Sequence, residues 1–369
     1  MSLASAAAVI ANLDRARYDP VPIRIERDGR WTLAERPPLA SSAAEVIAQA
    51  RLEAARALRA GREVHVVARP GADTLITVDR GGAAADDHLD HARVTGLGLD
   101  VVFPVLHGPF GEDGTVQGLL ELAGVAYVGA GVLASAVGMD KALMKVVFVA
   151  NGLPVPDSVV VLKNDWEADP EGVLATLASR LALPVFVKPA NLGSSVGISK
   201  AKDADGLRAA LDLAGEFDRK ILVEAAVRAA REIECAVLGN DRPEASVPGE
   251  IVPSREFYDY EAKYLDEGSQ LIIPAPLSAA QAAEVQRLSI AAFRAVDCAG
   301  MARVDFLLSR ETGELVLNEI NTIPGFTTIS MYAKLWAASG LEYPALLDRL
   351  VELALERHAE KRRLRTAMF

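Results

Sequence analysis

The chain has 369 residues, 51% of them hydrophobic and 24% charged, which excludes a disordered or fibrous protein and allows two or three domains. Its net charge of −11 argues against nucleic acid as the main partner, because a phosphate-binding surface is basic. The two cysteines, Cys235 and Cys298, form no CxxC pair, so neither a disulfide scaffold nor a zinc site is expected, and no apolar run reaches the ~20 residues that span a bilayer.

From the start of the chain, Ala4 to Leu13 reads as an amphipathic helix without the basic leader of a signal peptide, which places the protein in the cytoplasm and off the membrane. "VPIRIER" reads as a strand ending at the turn "DGRW", Ala44 to Arg59 as an Ala-rich helix, and "EVHVVARP" and "DVVFPVLHG" as further strands. This alternation predicts a parallel sheet covered by helices. "HLDHARVT", with His88 and His91 beside several Asp residues, reads as a solvated loop, with a metal site as the competing reading. In "FPVLHGPFGEDGTVQG", His107 follows a strand end, where α/β sheets bind ligands, and Gly108, Gly111 and Gly114 shape a loop. The strand-like "VAYVGAG" then leads to the helix "DKALMKVVFVAN", with Lys141 in its first turn.

Pro154 and Pro156 hold the next segment extended. "PVFVKPANLGSSVGISKA" reads as a strand, a loop carrying Gly193, Ser194, Ser195 and Gly197, and a second strand, with Lys188 ending the first. Backbone N–H and hydroxyl groups in such a loop can cradle phosphate, although the order of a Walker motif is absent and an ordinary hairpin is the competing reading. Lysines from two separate elements are what a polyphosphate needs. "KILVEAAV" is a strand ending at Glu224, which could accept from an adenine amino group or a ribose hydroxyl, or face solvent. "REIECAVLGN" opens a third region, and "FYDYEAKY" reads as a mobile loop that closes over something. Gln281 to Ala295 and Glu342 to Arg363 are helices.

Between those two helices lies the sharpest pattern. In "GMARVDFLLS", Arg303 and Asp305 share one strand face and Val304 and Phe306 the other; in "VLNEINTIPG", Glu319 and Asn321 again share a face. "SRETGEL" between them reads as a hairpin loop, so pairing puts Arg303, Asp305, Glu319 and Asn321 on one face. The set reads equally as a cation site facing an anion or as a structural salt bridge from Arg303 to Asp305 or Glu319.

Together these motifs resemble the D-alanine–D-alanine ligases of the ATP-grasp superfamily. The matching pieces are "HGPFGEDGTVQG", "GMDKALMK", "VKPANLGSSVGISK", "REIECAVLGN", "FYDYEAKY", "ARVDFLL" and "NEINTIPGFTTISMY", in the family's order over nearly the whole chain. The resemblance implies a three-domain α/β ATP-grasp fold: an N-terminal parallel α/β substrate domain (1–129), with central (130–229) and C-terminal (230–369) α+β domains enclosing ATP. It implies ADP-forming ligation of two D-alanines through an acylphosphate, for peptidoglycan synthesis. Variants making D-alanyl-D-lactate or D-alanyl-D-serine, another carboxylate–amine ligase, and a nucleotide-binding form with little activity are the alternatives.

Residue by residue, the resemblance makes Lys141, Lys188, Ser194, Ser195, Glu224, Ala225, Val227, Glu232 and Lys263 the ATP contacts. Asp305, Glu319 and Asn321 become ligands of two Mg²⁺ ions, with Mn²⁺ as the alternative ion, and ATP is the co-substrate. His107, Arg303, Gly325 and Ser330 become substrate contacts; Arg303, Ser194 and Tyr264 become catalytic, and Lys263 and Tyr264 belong to the lid. A homodimer is implied. The family's opening loop, G-G-x-S-x-E-H-x-V-S, would end where "MSLASAAAV" begins, so a start upstream of Met1 is expected; Ala229-Ala230 stands where a Gly is usual, which should alter only the local turn.

Overall fold

The computed structural model describes residues 2–26, 28–33, 63–67, 75–80, 92–193, 195–252 and 270–365. The helix expected at Ala44 to Arg59, both histidines of "HLDHARVT" and the "FYDYEAKY" segment lie outside them.

The first sheet has the order β1 (Ile23–Ile25), β2 (Trp31–Leu33), β3 (Glu63–Val66), β4 (Leu75–Arg80), β5 (Ala92–Gly96). Every neighbouring pair in it is antiparallel. Among the described residues the expected parallel pairing occurs only between β6 (Val101–Val102) and β7 (Ala126–Tyr127). For β1 and β2 the reason is the short "DGRW" turn: a connection that tight can only reverse the chain, whereas parallel neighbours need a crossover of a dozen residues or more. The end of "HLDHARVT" is also not loop, since Ala92–Gly96 pairs with β4.

The second sheet has the order β10 (Ser199–Ala201), β9 (Val185–Pro189), β11 (Lys220–Ala225), β8 (Ser158–Leu162), antiparallel throughout. Alternation decides its two faces. Val185, Val187, Ile221 and Val223 point into a cluster with Leu177, Leu207 and Leu211 of the helices Pro170–Arg180 and Ala204–Phe217. Lys188 and Glu224 therefore project from the opposite face.

The third sheet has the order β15 (Gln270–Ile272), β14 (Gly249–Val252), β12 (Ala230–Gly239), β16 (Gly300–Ser309), β17 (Leu315–Asn321), with β13 (Glu244–Ala245) also on β12. Ile233, Cys235, Val237, Ala302, Val304 and Phe306 form a core with Phe148, Leu288 and Phe293 from the helices Lys141–Ala150 and Ala279–Ala295. Ala236, Leu238 and Met301 face the helices Met331–Ala338 and Tyr343–Arg363. Arg357 of the last helix stacks 4.4 Å from the Tyr127 ring centroid and donates to the Tyr127 carbonyl at 3.1 Å, tying β7 to the third sheet's outer layer. No described helix is long and apolar enough to cross a membrane.

Candidate active site

The hairpin read from the sequence is present, with Arg303 opposite Asn321 and Asp305 opposite Glu319. Its register shifts between Asp305 and Phe306, because Phe306 pairs with Leu317 and Asn318 is the extra residue. Bulges of this kind re-aim side chains beside functional sites. Here the bulge sends Leu317 into the apolar core while Glu319 and Asn321 stay on the polar face.

On that face Arg303 donates from Nε and Nη2 to the two Asp305 carboxylate oxygens, at 2.7 Å each, and its Nε also lies 3.0 Å from Glu234. Asn321 Nδ2 donates to Asp305 at 2.9 Å. Burial disfavours the guanidinium charge, but Asp305 and Glu234 outweigh it and raise its pKa well above the usual arginine value. The structural salt bridge and the convergent oxygen donors are thus both real, and share Asp305.

Lys141 caps the gap to the second sheet. Asp140 is the N-cap of its helix, accepting from Ala142 and Leu143 N–H at 3.1 and 3.0 Å, and it pairs with Lys220. Lys141 Nζ donates to the Leu192 carbonyl at 2.5 Å and stands 3.8 Å from Glu319. Asp218 accepts from the Asn191 backbone and side chain at 2.8 and 2.9 Å, fixing the entry to the Gly/Ser loop. Lys188, on β9, lies 3.0 Å from Glu224 and donates to Asn318 Oδ1 at 3.3 Å. Lysines 141 and 188 and the residues of β16 and β17 therefore meet between the two sheets.

Four contributors had no place in the sequence reading. Lys145, 3% exposed, donates to Glu224 at 3.2 Å and to the Asn318 carbonyl at 3.3 Å. Its signal was there, since it sits one turn after Lys141 on the same helix face. Burial holds the Lys145 ammonium below its ordinary pKa; burial also pushes Glu224 up, but Lys145 and Lys188 outweigh it and hold that carboxylate low. Glu234 was hidden in a strand that reads as core. Ser5 is fully buried, its hydroxyl 3.1 Å from His107 Nε2 and accepting from Phe326 N–H at 3.2 Å. Glu112, inside the quoted "HGPFGEDG", accepts from Gly108 N–H. Burial, with Glu319 adding to it, pushes its carboxyl up to about 7 against Gly108, Lys141 and Arg303. Gly111 is obligatory in that loop, because a Cβ there would lie 2.6 Å from the Leu106 carbonyl oxygen.

Glu224, expected to face adenosine, is 1% exposed and lies between Lys145 and Lys188. The backbone N–H groups of Ala225 and Ala226 are used inside the fold, by Asp157 and Pro184 carbonyls at 2.8 and 3.1 Å; Val227 follows just past the end of β11. Glu232 pairs in register with Leu307 and Ile251 and is half-buried. His107 Nδ1 lies 3.2 Å from the Ile323 carbonyl, so Nδ1 donates there and Nε2 accepts from Ser5. Burial lowers the His107 pKa to about 4 and keeps the ring neutral. Ser330 Oγ accepts from Thr327 N–H at 3.0 Å, and a Cβ on Gly325 would sit 3.1 Å from it, so these two are adjacent. Ser195 adopts a left-handed φ of 58° in the Gly/Ser loop. Ser194, Lys263 and Tyr264 lie outside the described residues. The free cysteines are buried, and burial pushes their thiols up to about 11 and 12, consistent with neither having catalytic work.

The donor set suits a hard divalent cation: two carboxylates and an amide carbonyl from paired strands, with no sulfur or imidazole. No group of three or more His, Cys, Asp and Glu residues is gathered for a metal among the described residues, so a cation here would rely on the amide and on nucleotide oxygens.

Comparison with known proteins gives the family. The family models described as D-ala D-ala ligase N-terminus and C-terminus match residues 1–130 and 147–352. The D-alanine–D-alanine ligase of Heliobacterium modesticaldum is 49% identical over 98% of this chain and 93% of its own length; that of Streptomyces coelicolor is 50% identical over 97% and 90%. The solved D-alanine–D-alanine ligase of Coxiella burnetii superposes with a TM-score of 0.79 at 37% identity, over 98% of this chain and 91% of that one. The VanG D-Ala:D-Ser ligase of Enterococcus faecalis gives 0.79 at 33%, over 95% and 94%. Matched by both family models and by relatives over nearly its whole length, the chain belongs to the D-alanine–D-alanine ligase family.

Proposed function

We propose that this chain joins two D-alanines into D-alanyl-D-alanine, cleaving ATP to ADP and phosphate, for peptidoglycan synthesis. The observation that carries the reading is the meeting of Lys141 with Glu319 at 3.8 Å, across the gap between two sheets, beside the Asp305–Asn321 pair at 2.9 Å.

The carboxylate of the first D-alanine attacks the γ-phosphoryl group, so two anions must approach. The ammonium groups of Lys141 and Lys188 offset that repulsion, and the Gly/Ser loop at Gly193 to Ser195 offers donors to the polyphosphate. Asp305, Glu319 and Asn321 would hold Mg²⁺, which when bound neutralises phosphate charge. Glu232 and the backbone at Ala225 to Val227 would contact adenosine, while Glu224 acts on Lys188. The amine of the second D-alanine then attacks the acylphosphate and phosphate departs. Arg303, held bidentately by Asp305, is a pre-oriented donor for the oxyanion of that step. Neutral His107, with Gly325 and Ser330, borders the amino-acid pocket. Lys263 and Tyr264 belong to this reading as lid residues. An acylphosphate hydrolyses in water, so such a lid would protect it.

The same reading divides the chain into 1–129, 130–229 and 230–369, and takes the protein as a cytoplasmic homodimer acting on small molecules; the family resemblance supports these features. The test is phosphate release with ATP, Mg²⁺ and D-alanine, with the dipeptide identified by mass, against D-serine and D-lactate as second substrates. D-alanine-dependent ADP formation with D-alanyl-D-alanine as product is expected. Nucleotide binding without substrate-dependent ADP would make this a non-catalytic nucleotide-binding protein.

A further inference from the structure

Lys145 is a buried cation that the reaction above does not use. It lies on the same helix face as Lys141, yet it points to Glu224 and to the bulge at Asn318. Lys188 reaches the same two residues from β9: its ammonium is 3.0 Å from the other Glu224 oxygen and donates to the Asn318 side chain. On the antiparallel pair β9–β11, Lys188 stands opposite Leu222, so Glu224 is its diagonal neighbour on the same face. One carboxylate is thus shared by two lysines, each holding one oxygen. The bulged Asn318 anchors both, with its backbone carbonyl for Lys145 and its amide oxygen for Lys188.

We infer that Lys145 is a positioning residue for the nucleotide: by holding Glu224 it leaves the Lys188 ammonium available to the ATP phosphates. This rests on the reading of Lys188 as a phosphate contact. Were Lys145 absent, Lys188 would be the sole cation among the described residues on a carboxylate almost wholly removed from water. Turning Lys188 toward phosphate would then strip a buried charge of its last partner, which is costly, and that cost would appear in ATP affinity. With Lys145 in place, Glu224 keeps a partner when Lys188 turns.

The test compares the native chain with Lys145→Met, Lys145→Met/Glu224→Gln and Lys188→Ala. Calorimetric Kd for MgATP without D-alanine is measured first, then KM for ATP and kcat at saturating D-alanine. Lys145→Met should weaken ATP by at least about tenfold in Kd and KM, with kcat within about threefold. The double variant removes the stranded carboxylate charge and should return Kd to within about threefold of the native value. A double variant as weak as Lys145→Met would mean direct contact or packing and would overturn the inference, as would native affinity in Lys145→Met. Where Lys145→Met alone does not fold, the double variant decides by the same criterion. Unchanged ATP affinity in Lys188→Ala would overturn both this inference and the phosphate role of Lys188; weakened affinity there with an unaffected Lys145→Met would overturn this inference alone.

Discussion

Replacing Arg303 with Met removes one guanidinium from two carboxylates while roughly keeping the side-chain volume. Asp305 and Glu234 have side chains only 14% and 8% exposed, and Arg303 is within 2.7 and 3.0 Å of them. Removing one partner of a buried pair costs about 3–5 kcal/mol, because the other charge is left uncompensated. For a chain this long, that is a fall of roughly 4–6 °C in the thermal midpoint of metal-free protein. Mg²⁺ should recover part of the loss, since it supplies a cation to the same carboxylates and binds only the folded chain. It should not recover the reaction: losing an oxyanion donor costs about 10²–10³ in kcat. Differential scanning fluorimetry with and without MgCl₂, alongside phosphate release, reads both. A variant within about 1 kcal/mol of the native chain without metal would refute the buried-pair reasoning, and full activity with Mg²⁺ would refute the oxyanion role.

Ala229 carries a left-handed φ of 45° just before β12. Ala229→Gly should stabilise by about 0.5–1 kcal/mol, read by urea denaturation, as relief of a left-handed residue exceeds the added chain entropy. Gly300 has a φ of 74°, and a Cβ there would lie 3.0 Å from Gly129 Cα and 3.1 Å from its nitrogen. Gly300→Ala should therefore destabilise by about 2–4 kcal/mol, since two backbones must separate. Glu112 has its carboxyl pKa raised by burial from 4.5 to about 7, so the folded state binds a proton that the unfolded chain releases. Stability from this group is present below pH 4.5 and is lost as pH rises through 7. Glu112→Gln should thus gain up to about 3 kcal/mol relative to the native chain between pH 4.5 and 8 in metal-free protein, and an equal difference at both pH values would contradict it.

Much of the site was legible because strand periodicity is local. The i, i+2 spacing of Arg303 with Asp305, and of Glu319 with Asn321, fixed their common face before any tertiary contact was known. What the spacing could not show was the bulge at Asn318, where period-2 alternation breaks and Leu317 crosses to the core. Lys145 and Glu112 escaped notice for a different reason. Lys145 meets Glu224 across 79 residues of sequence, and Glu112 feels Glu319, Lys141 and Arg303 from other elements. Such partners follow from packing and not from local pattern. The lysine partners of Glu224 were hidden for the same reason, since a strand-end carboxylate reads as available until two lysines are placed beside it. The direction of β1 against β2 was legible in a tight turn; that of the other pairs in the first sheet was not, because strand propensity is blind to direction.

The most direct test is a crystal structure with Mn²⁺ and a non-hydrolysable ATP analogue, located by anomalous scattering. Metal peaks at Asp305, Glu319 and Asn321, with the polyphosphate against Lys141 and Lys188, are the predicted result. Metal bound elsewhere, or a polyphosphate that touches neither lysine, would contradict the assignment of the site.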